Sequence, residues 1–283
     1  MTDRLTEIST GAASCRIYRD APQWENRRTA AIGQFRCATA ADGTAVLVRS
    51  IELLRTEKFE AVIGPMDGDT WHRYRVVVET DGTPPFVMEP TSGPHDLAAF
   101  RSVGFHPISS YVSARASLDG AIKSGPPIAI DDIQVQAWDG KDAIALIERL
   151  FEFSSRGFSR NAFFKPIDLP EFLKLYEPII PAIDPRLVLF ALSGSEPVGF
   201  LFGFPNGVPK QQPATVVLKT YASAKPGVGR LLADTFHRTA RQLGFSGVIH
   251  ALMHVDNVSR KHSELHTATV FRRYALMGCR LAQ

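Results

Sequence analysis

The chain has 283 residues, of which 45% are hydrophobic and 22% charged, with a net charge of +3. This is the make-up of a soluble globular protein with room for one large or two ordinary domains, and so small and scattered a charge argues against a nucleic-acid stripe. No apolar run reaches ~20 residues, and the first residues lack the order of a signal peptide. A cytoplasmic protein without membrane contact is the expectation, and the three widely spaced cysteines (Cys15, Cys37 and Cys279) fit reduced thiols there.

In chain order, residues 30–37 read as a strand. A turn-like segment, 40–45, contains Gly43 and Ala45, and residues 46–54 carry the spacing of an amphipathic helix. Residues 61–64 read as the next strand. Residues 64–75 combine turn residues with Trp71, Tyr74 and Arg75, which makes them the candidate acceptor-recognition loop. The same aromatic residues would equally serve to seal an interface. A helical stretch at 95–100, Gly104-Phe105 and an extended 108–113 end the first half.

Gly, Ser and Pro interrupt the pattern at 114–127, which sets a boundary between segments 1–122 and 123–283. Beyond it, 133–137 alternates as a strand and 142–153 has helical spacing. Residues 169–176 read as a second helix with Pro170 at its start. Strands 187–192 and 197–204 flank the turn Ser193–Glu196.

Residues 215–232 carry the most specific signal: a strand, a tight loop with Gly227 and Gly229, and a helix from about Arg230 to Gln242. Free N–H groups and the positive end of the dipole at such a helix start suit a phosphate or pyrophosphate. A nucleotide P-loop is excluded because no Lys-Ser or Lys-Thr follows Gly229. A dinucleotide fingerprint is excluded because Leu232 stands where its third glycine belongs. An apolar strand at 247–255, then Asp256-Asn257, precede a segment with Phe271, Tyr274, Gly278 and Cys279, read as the end of a last helix.

This arrangement resembles the GNAT superfamily of N-acetyltransferases, whose acetyl-CoA loop is Q/R-x-x-G-x-G/A and whose last helix closes with Tyr-x-x-x-Gly-Phe. Here Ala224 replaces the Gln or Arg, and Cys279 the final Phe. The resemblance implies an α/β (α+β) fold with two GNAT-like mixed β-sheets flanked by helices. The N-terminal copy would be degenerate and truncated, with Phe100 at the tyrosine position. It implies transfer of an acetyl or other acyl group from acyl-CoA directly to the amine of a small molecule or peptide.

Lys225, Gly227, Val228, Gly229 and Arg230 would hold the pyrophosphate, and the backbone of Lys219, Thr220 and Tyr221 the pantetheine arm. Asn257 would sit beside the cofactor, or cap the next helix together with Ser259. Tyr274 would protonate the leaving thiolate. His250 and His254, four apart on one strand face, are candidate bases or structural residues. A zinc site at His262 and His266 is rejected because Glu264 is one place late for the protease pattern. No metal is expected. The alternative is a non-catalytic acyl-CoA-binding or regulatory protein.

Overall fold

The chain begins with a hairpin, β1 (Leu5–Thr10) and β2 (Ala13–Tyr18), turned at Gly11 with φ of +57°. The computed structural model describes residues 5–122, 125–207, 214–257, 263 and 266–282. The readings of Ser259, His262 and Glu264 lie outside the described residues. Along β2, Ala13, Cys15 and Ile17 are buried and alternate with half-buried Ser14, Arg16 and Tyr18, which sets the face that meets the core.

β3 (Thr29–Cys37), α1 (Ala40–Thr56) and β4 (Ala61–Gly64) follow, with β3 and β4 parallel. The helix starts earlier than its apolar spacing suggests, because the Thr39 hydroxyl accepts the Asp42 N–H at 3.1 Å and caps it. Gly43 and Ala45 therefore lie inside α1 and form no loop. A Cβ at Gly43 would come within 2.8 Å of Ala99 Cβ, so the glycine permits close helix packing. Ala99 belongs to α2 (Asp96–Ser102), which follows β5 (Val76–Thr80). β6 (His106–Ser117) and the single turn α3 (Leu118–Ala121) complete this part.

The second part contains β7 (Ile133–Ala137), α4 (Ala143–Phe158) and α5 (Leu169–Tyr176). The hairpin of β8 (Val188–Ser193) and β9 (Glu196–Pro205) comes next. Asp142 and Asp168 cap α4 and α5 through N–H groups three residues on. β10 (Thr215–Ser223), α6 (Val228–Gln242) and β11 (Gly247–His254) realise the strand, loop, helix and strand expected of residues 215–255.

The expected last helix is instead a strand, β12 (Thr269–Arg280). Spacing of four places Tyr274 and Gly278 on one face of either element, so the spacing does not discriminate. The surroundings do: β12 lies between β4 and β6 and is buried along residues 274–279, and β-branched and aromatic residues suit such a strand.

The twelve strands of the described residues form one mixed sheet. Its order is β1-β2-β3-β4-β12-β6-β11-β10-β9-β8-β7, and β5 pairs with β12 off this path. The last strand of each part is thus inserted beside the other's: β12 pairs with β4, and β6 with β11. One core cluster unites α1 and α2 with the first strands through Leu47, Leu54 and Phe100. A second packs Leu232 and Phe236 of α6 on the sheet. A third gathers Ile147, Phe172, Phe200 and Phe202 beneath α4 and α5. Among the described residues no helix is long and apolar enough to cross a membrane.

Candidate functional site

β10 and β11 are parallel and hydrogen-bonded only from Thr215–Leu218 against Gly247–His250. Past that point each follows its other neighbour. β10 stays with β9 after a register shift between Leu218 and Thr220, and β11 rejoins β6 at Met253 after a shift from His250. These irregularities act as bulges, which bend strands and redirect side chains. Leu252, with φ of +55°, donates its N–H to Ser113 Oγ at 3.1 Å. The result is a fork in the sheet whose inner β10 edge, from Lys219 onward, has no strand partner among the described residues.

A cavity of about 890 Å³ fills this fork and extends under residues 67–75, 88–90 and the α4–α5 region. It brings together Trp71, Tyr74, Arg75, Lys219, Thr220, Tyr221, His250, His254 and Asn257 from the candidates above. The glycine loop lies beside the cavity rather than on its wall. Gly227, with φ of +82°, begins α6, and a Cβ on Gly229 would stand 3.1 Å from the Tyr221 ring. Val228 is buried in the core, and Arg230 is exposed. The Lys225 ammonium turns away to Ser193 Oγ at 2.9 Å. Asn257 donates its N–H to His254 O at 3.1 Å in the turn after β11.

Tyr274 is placed apart from the cavity wall, 1% exposed. Its phenol donates to Glu89 Oε1 and bonds Ser113 Oγ at 3.0 Å. Burial, then the Glu89 bond, raises its pKa far above the ordinary phenol value, so its proton is held firmly. Glu89 itself lines the cavity and accepts from Arg272 Nη1 at 2.5 Å, both side chains being almost fully buried.

The two candidate histidines differ. His250 is buried, with Nε2 3.0 Å from His237 Nε2 and Nδ1 2.7 Å from Ser263 Oγ. Burial, followed by the charge of His266, pushes its pKa down to about 3, so it accepts a proton poorly at neutral pH. His254 stands on the wall with both nitrogens engaged, Nε2 to Ser109 Oγ at 3.1 Å and Nδ1 to the Asp256 N–H at 3.2 Å.

Lys219, which the sequence offered only for its backbone, projects its ammonium into the cavity, 3.5 Å from Met88 O. Burial first and Arg75 second push its pKa down to about 7, against the pull of Glu89. A group so poised exchanges protons at neutral pH. Among the described residues one set of side chains could converge on a metal: Asp69, His72 and Glu171. Asp69 Oδ1, however, already accepts the N–H groups of Trp71 and His72 and faces His72 Nδ1 at 2.9 Å, which fits a carboxylate holding a loop. That bond is the chief cause of the raised His72 pKa.

No family model and no curated protein matches the chain. Solved structures do. A GCN5-related N-acetyltransferase from Sphaerobacter thermophilus covers 96% of this chain and 78% of its own, with a TM-score of 0.56 at 15% identity. The fold is that of the GCN5-related N-acetyltransferases. A tandem GNAT protein from the clavulanic acid biosynthesis pathway covers 100% of this chain and 85% of its own (TM-score 0.57, 12% identity). Eis1 from Mycobacterium abscessus covers 99% and 65% (TM-score 0.53, 13% identity). The interleaved sheet thus has a GNAT-type fold, and among the described residues it opens into a fork between β10 and β11.

Proposed function

We propose that the protein is an N-acyltransferase that moves an acetyl or other acyl group from acyl-CoA directly to an amine, with segment 123–283 holding the acyl donor and segment 1–122 walling the acceptor side. The observation that carries this reading is the fork between β10 and β11, opening beside a helix that starts at a left-handed glycine. The unpaired edge at Lys219–Tyr221 suits the amide groups of a pantetheine arm. The Gly229 N–H at the start of α6 suits a pyrophosphate, whereas the Val228 N–H donates to Lys225 O at 3.4 Å. Acyl-CoA supplies an activated thioester carbonyl, and the residues around it do the rest.

A reacting amine must be neutral. The Lys219 amine is the group on the wall whose pKa, about 7, lets it take that proton. Tyr274 retains a positioning role in this reading: its phenol holds Glu89 near Lys219 and braces Ser113, which binds the Leu252 N–H of the bulge. The counterpart fork between β3 and β4 is filled by its own chain. Met66 N–H donates to Ile32 O at 2.8 Å, Gln34 N–H donates to Asp67 Oδ1 at 2.6 Å, and a Cβ on Gly33 would overlap Met66 O. This supports a first segment that binds no acyl-CoA.

The test is titration calorimetry with acetyl-CoA, followed by thiol release in the presence of a panel of amines. Wild type should bind, and Gly229→Trp, crowding Tyr221 and the helix start, should lose binding at least ~10-fold. Unchanged affinity in that variant would remove the loop from the site. Binding without amine-stimulated thiol release would identify a non-catalytic acyl-CoA-binding or regulatory protein, a reading favoured by the buried Tyr274 phenol.

A further inference from the structure

Arg75 is a buried cation on the cavity wall, 8% exposed. Its guanidinium lies between two aromatic faces, 4.0 Å from the Tyr74 centroid and 3.9 Å from that of Tyr111. The rings stand edge to face at 87°, so the guanidinium sits in the corner that they form. Nη1 donates to Leu252 O at 3.3 Å and Nη2 to the Tyr74 hydroxyl. Nε, itself without accessible surface, has no partner among the described residues.

Among the described residues no carboxylate pairs with this cation. The described ion pairs engage other arginines, and Glu89, the buried acid of the same wall, has its two oxygens bonded to Arg272 and Tyr274. Lys219 adds a second cation nearby when protonated, since Arg75 is one of the causes of its lowered pKa. Leaving a buried charge unpaired is costly, and a guanidinium held by these contacts, with a second hydrogen on each of Nη1 and Nη2, is organised to receive a planar oxyanion. The aromatic walls strengthen that bond by keeping water out. Because Arg75 touches the carbonyl of Leu252 at the bulge, the anion would lie at the reacting end of the fork, far along it from the glycine loop.

We infer that Arg75 binds a carboxylate carried by the ligand at the reacting end of the cavity, either on the amine acceptor or on the acyl chain. This deepens the acyltransferase reading and rests on it. In the first case the acceptor is an amino acid or a related amino-carboxylate; in the second the donor is a dicarboxylic acyl-CoA.

The experiment measures binding by calorimetry at low salt, using the full chain and two kinds of matched pair. N-acetyl amino acids, over a range of side chains, are compared with their carboxamides in the presence of CoA. Succinyl-CoA is compared with acetyl-CoA. In wild type one kind of pair should favour the carboxylate by ~10-fold or more, the range of a charge-assisted hydrogen bond. The first pair identifies the acceptor as the source, and the second the acyl chain.

Arg75→Met should reduce that preference to within about twofold, while Arg75→Lys, keeping charge but not the planar fork, should retain part of it. Should Arg75→Met fail to fold, Arg75→Lys and the wild-type pairs still decide the matter. Absence of a carboxylate preference in both kinds of pair, or its survival in Arg75→Met, would overturn the inference. Failure of the acyl-CoA reading shows differently, as loss of CoA and acetyl-CoA binding in wild type, with the N-acetyl pairs still readable without CoA.

Discussion

Acid should unfold this protein through two buried histidines. The rings of His237 and His250 stack 5.2 Å apart, with facing Nε2 atoms 3.0 Å apart, so at most one nitrogen of that contact carries a hydrogen and the two rings cannot both be charged. An unfolded histidine titrates near 6.5, whereas burial, with His266 second, brings His250 to about 3. The unfolded chain therefore takes up the proton first as pH falls. Stability from this group is complete above pH 6.5 and declines by ~1.4 kcal/mol per pH unit below it, until the folded pKa is reached.

Between pH 6.5 and 4.5 the loss is roughly 2–3 kcal/mol for His250. His237, lowered by burial and then by His250 and His266, has the same sign. Even the His250 share alone is a sizeable part of a typical total stability of ~5–15 kcal/mol. Asp69, Glu57 and Asp184, all depressed by hydrogen bonds, lose their contribution only at lower pH. Asp96, raised by burial, opposes the trend near the acid end of the window. His72, raised by Asp69, is stabilising below pH 6.5 and loses that contribution as pH rises, so it adds no slope here. Urea unfolding at pH 7.5, 6.5, 5.5 and 4.5 should show midpoints falling steeply below 6.5, and His250→Asn should show a shallower slope. A midpoint that is flat down to pH 4.5, or an unaltered slope in the variant, would refute the neutral-pair account.

Three further outcomes follow from contacts at single positions. Gly203→Ala should lower stability by about 2–3 kcal/mol in urea melts, because the new Cβ would fall 2.3 Å from the Phe236 ring and 2.9 Å from Val217 O. Arg272→Met strands the Glu89 carboxylate in the interior and should cost about 3–5 kcal/mol, with Glu89→Gln/Arg272→Met recovering part of the loss. In Lys219→Met, amine-stimulated thiol release should fall at least ~10-fold at pH 7. The wild-type rise in kcat/KM with pH through about 7 should also disappear, since the neutral amine is the active form.

Glycine loop, helix and the two parallel strands of the fork were legible because each is a local pattern. Gly227 and Gly229 punctuate a strand-to-helix passage, and Phe236 and Leu232 recur at helical spacing. The N-terminal hairpin was missed although Gly11 sits at its turn, since short strands of mixed polarity carry little periodic signal. Tyr274 was misplaced for a different reason. Its distance from Gly278 satisfies a helix and a strand equally, and only the neighbours supplied by β4 and β6 select the strand. Glu89, Arg272 and the side chain of Lys219 were invisible as a group: Glu89 lies more than a hundred residues from either partner in sequence, and only the sheet joins them.

The interleaving of β6 and β12 explains why the site draws on both segments. β11 is held on one side by β10 only as far as His250, and beyond that its remaining partner is β6, from the first segment. Ser113 of β6 binds the Leu252 N–H, and Tyr111 of β6 supports both the Arg75 guanidinium and the His254 ring. One wall of the fork is therefore built by the segment with no open fork of its own. Residues 1–122 shape the opening from outside β10 and β11: β6 takes over the pairing of β11 where β10 leaves it, and the loop at residues 67–75 lines the cavity.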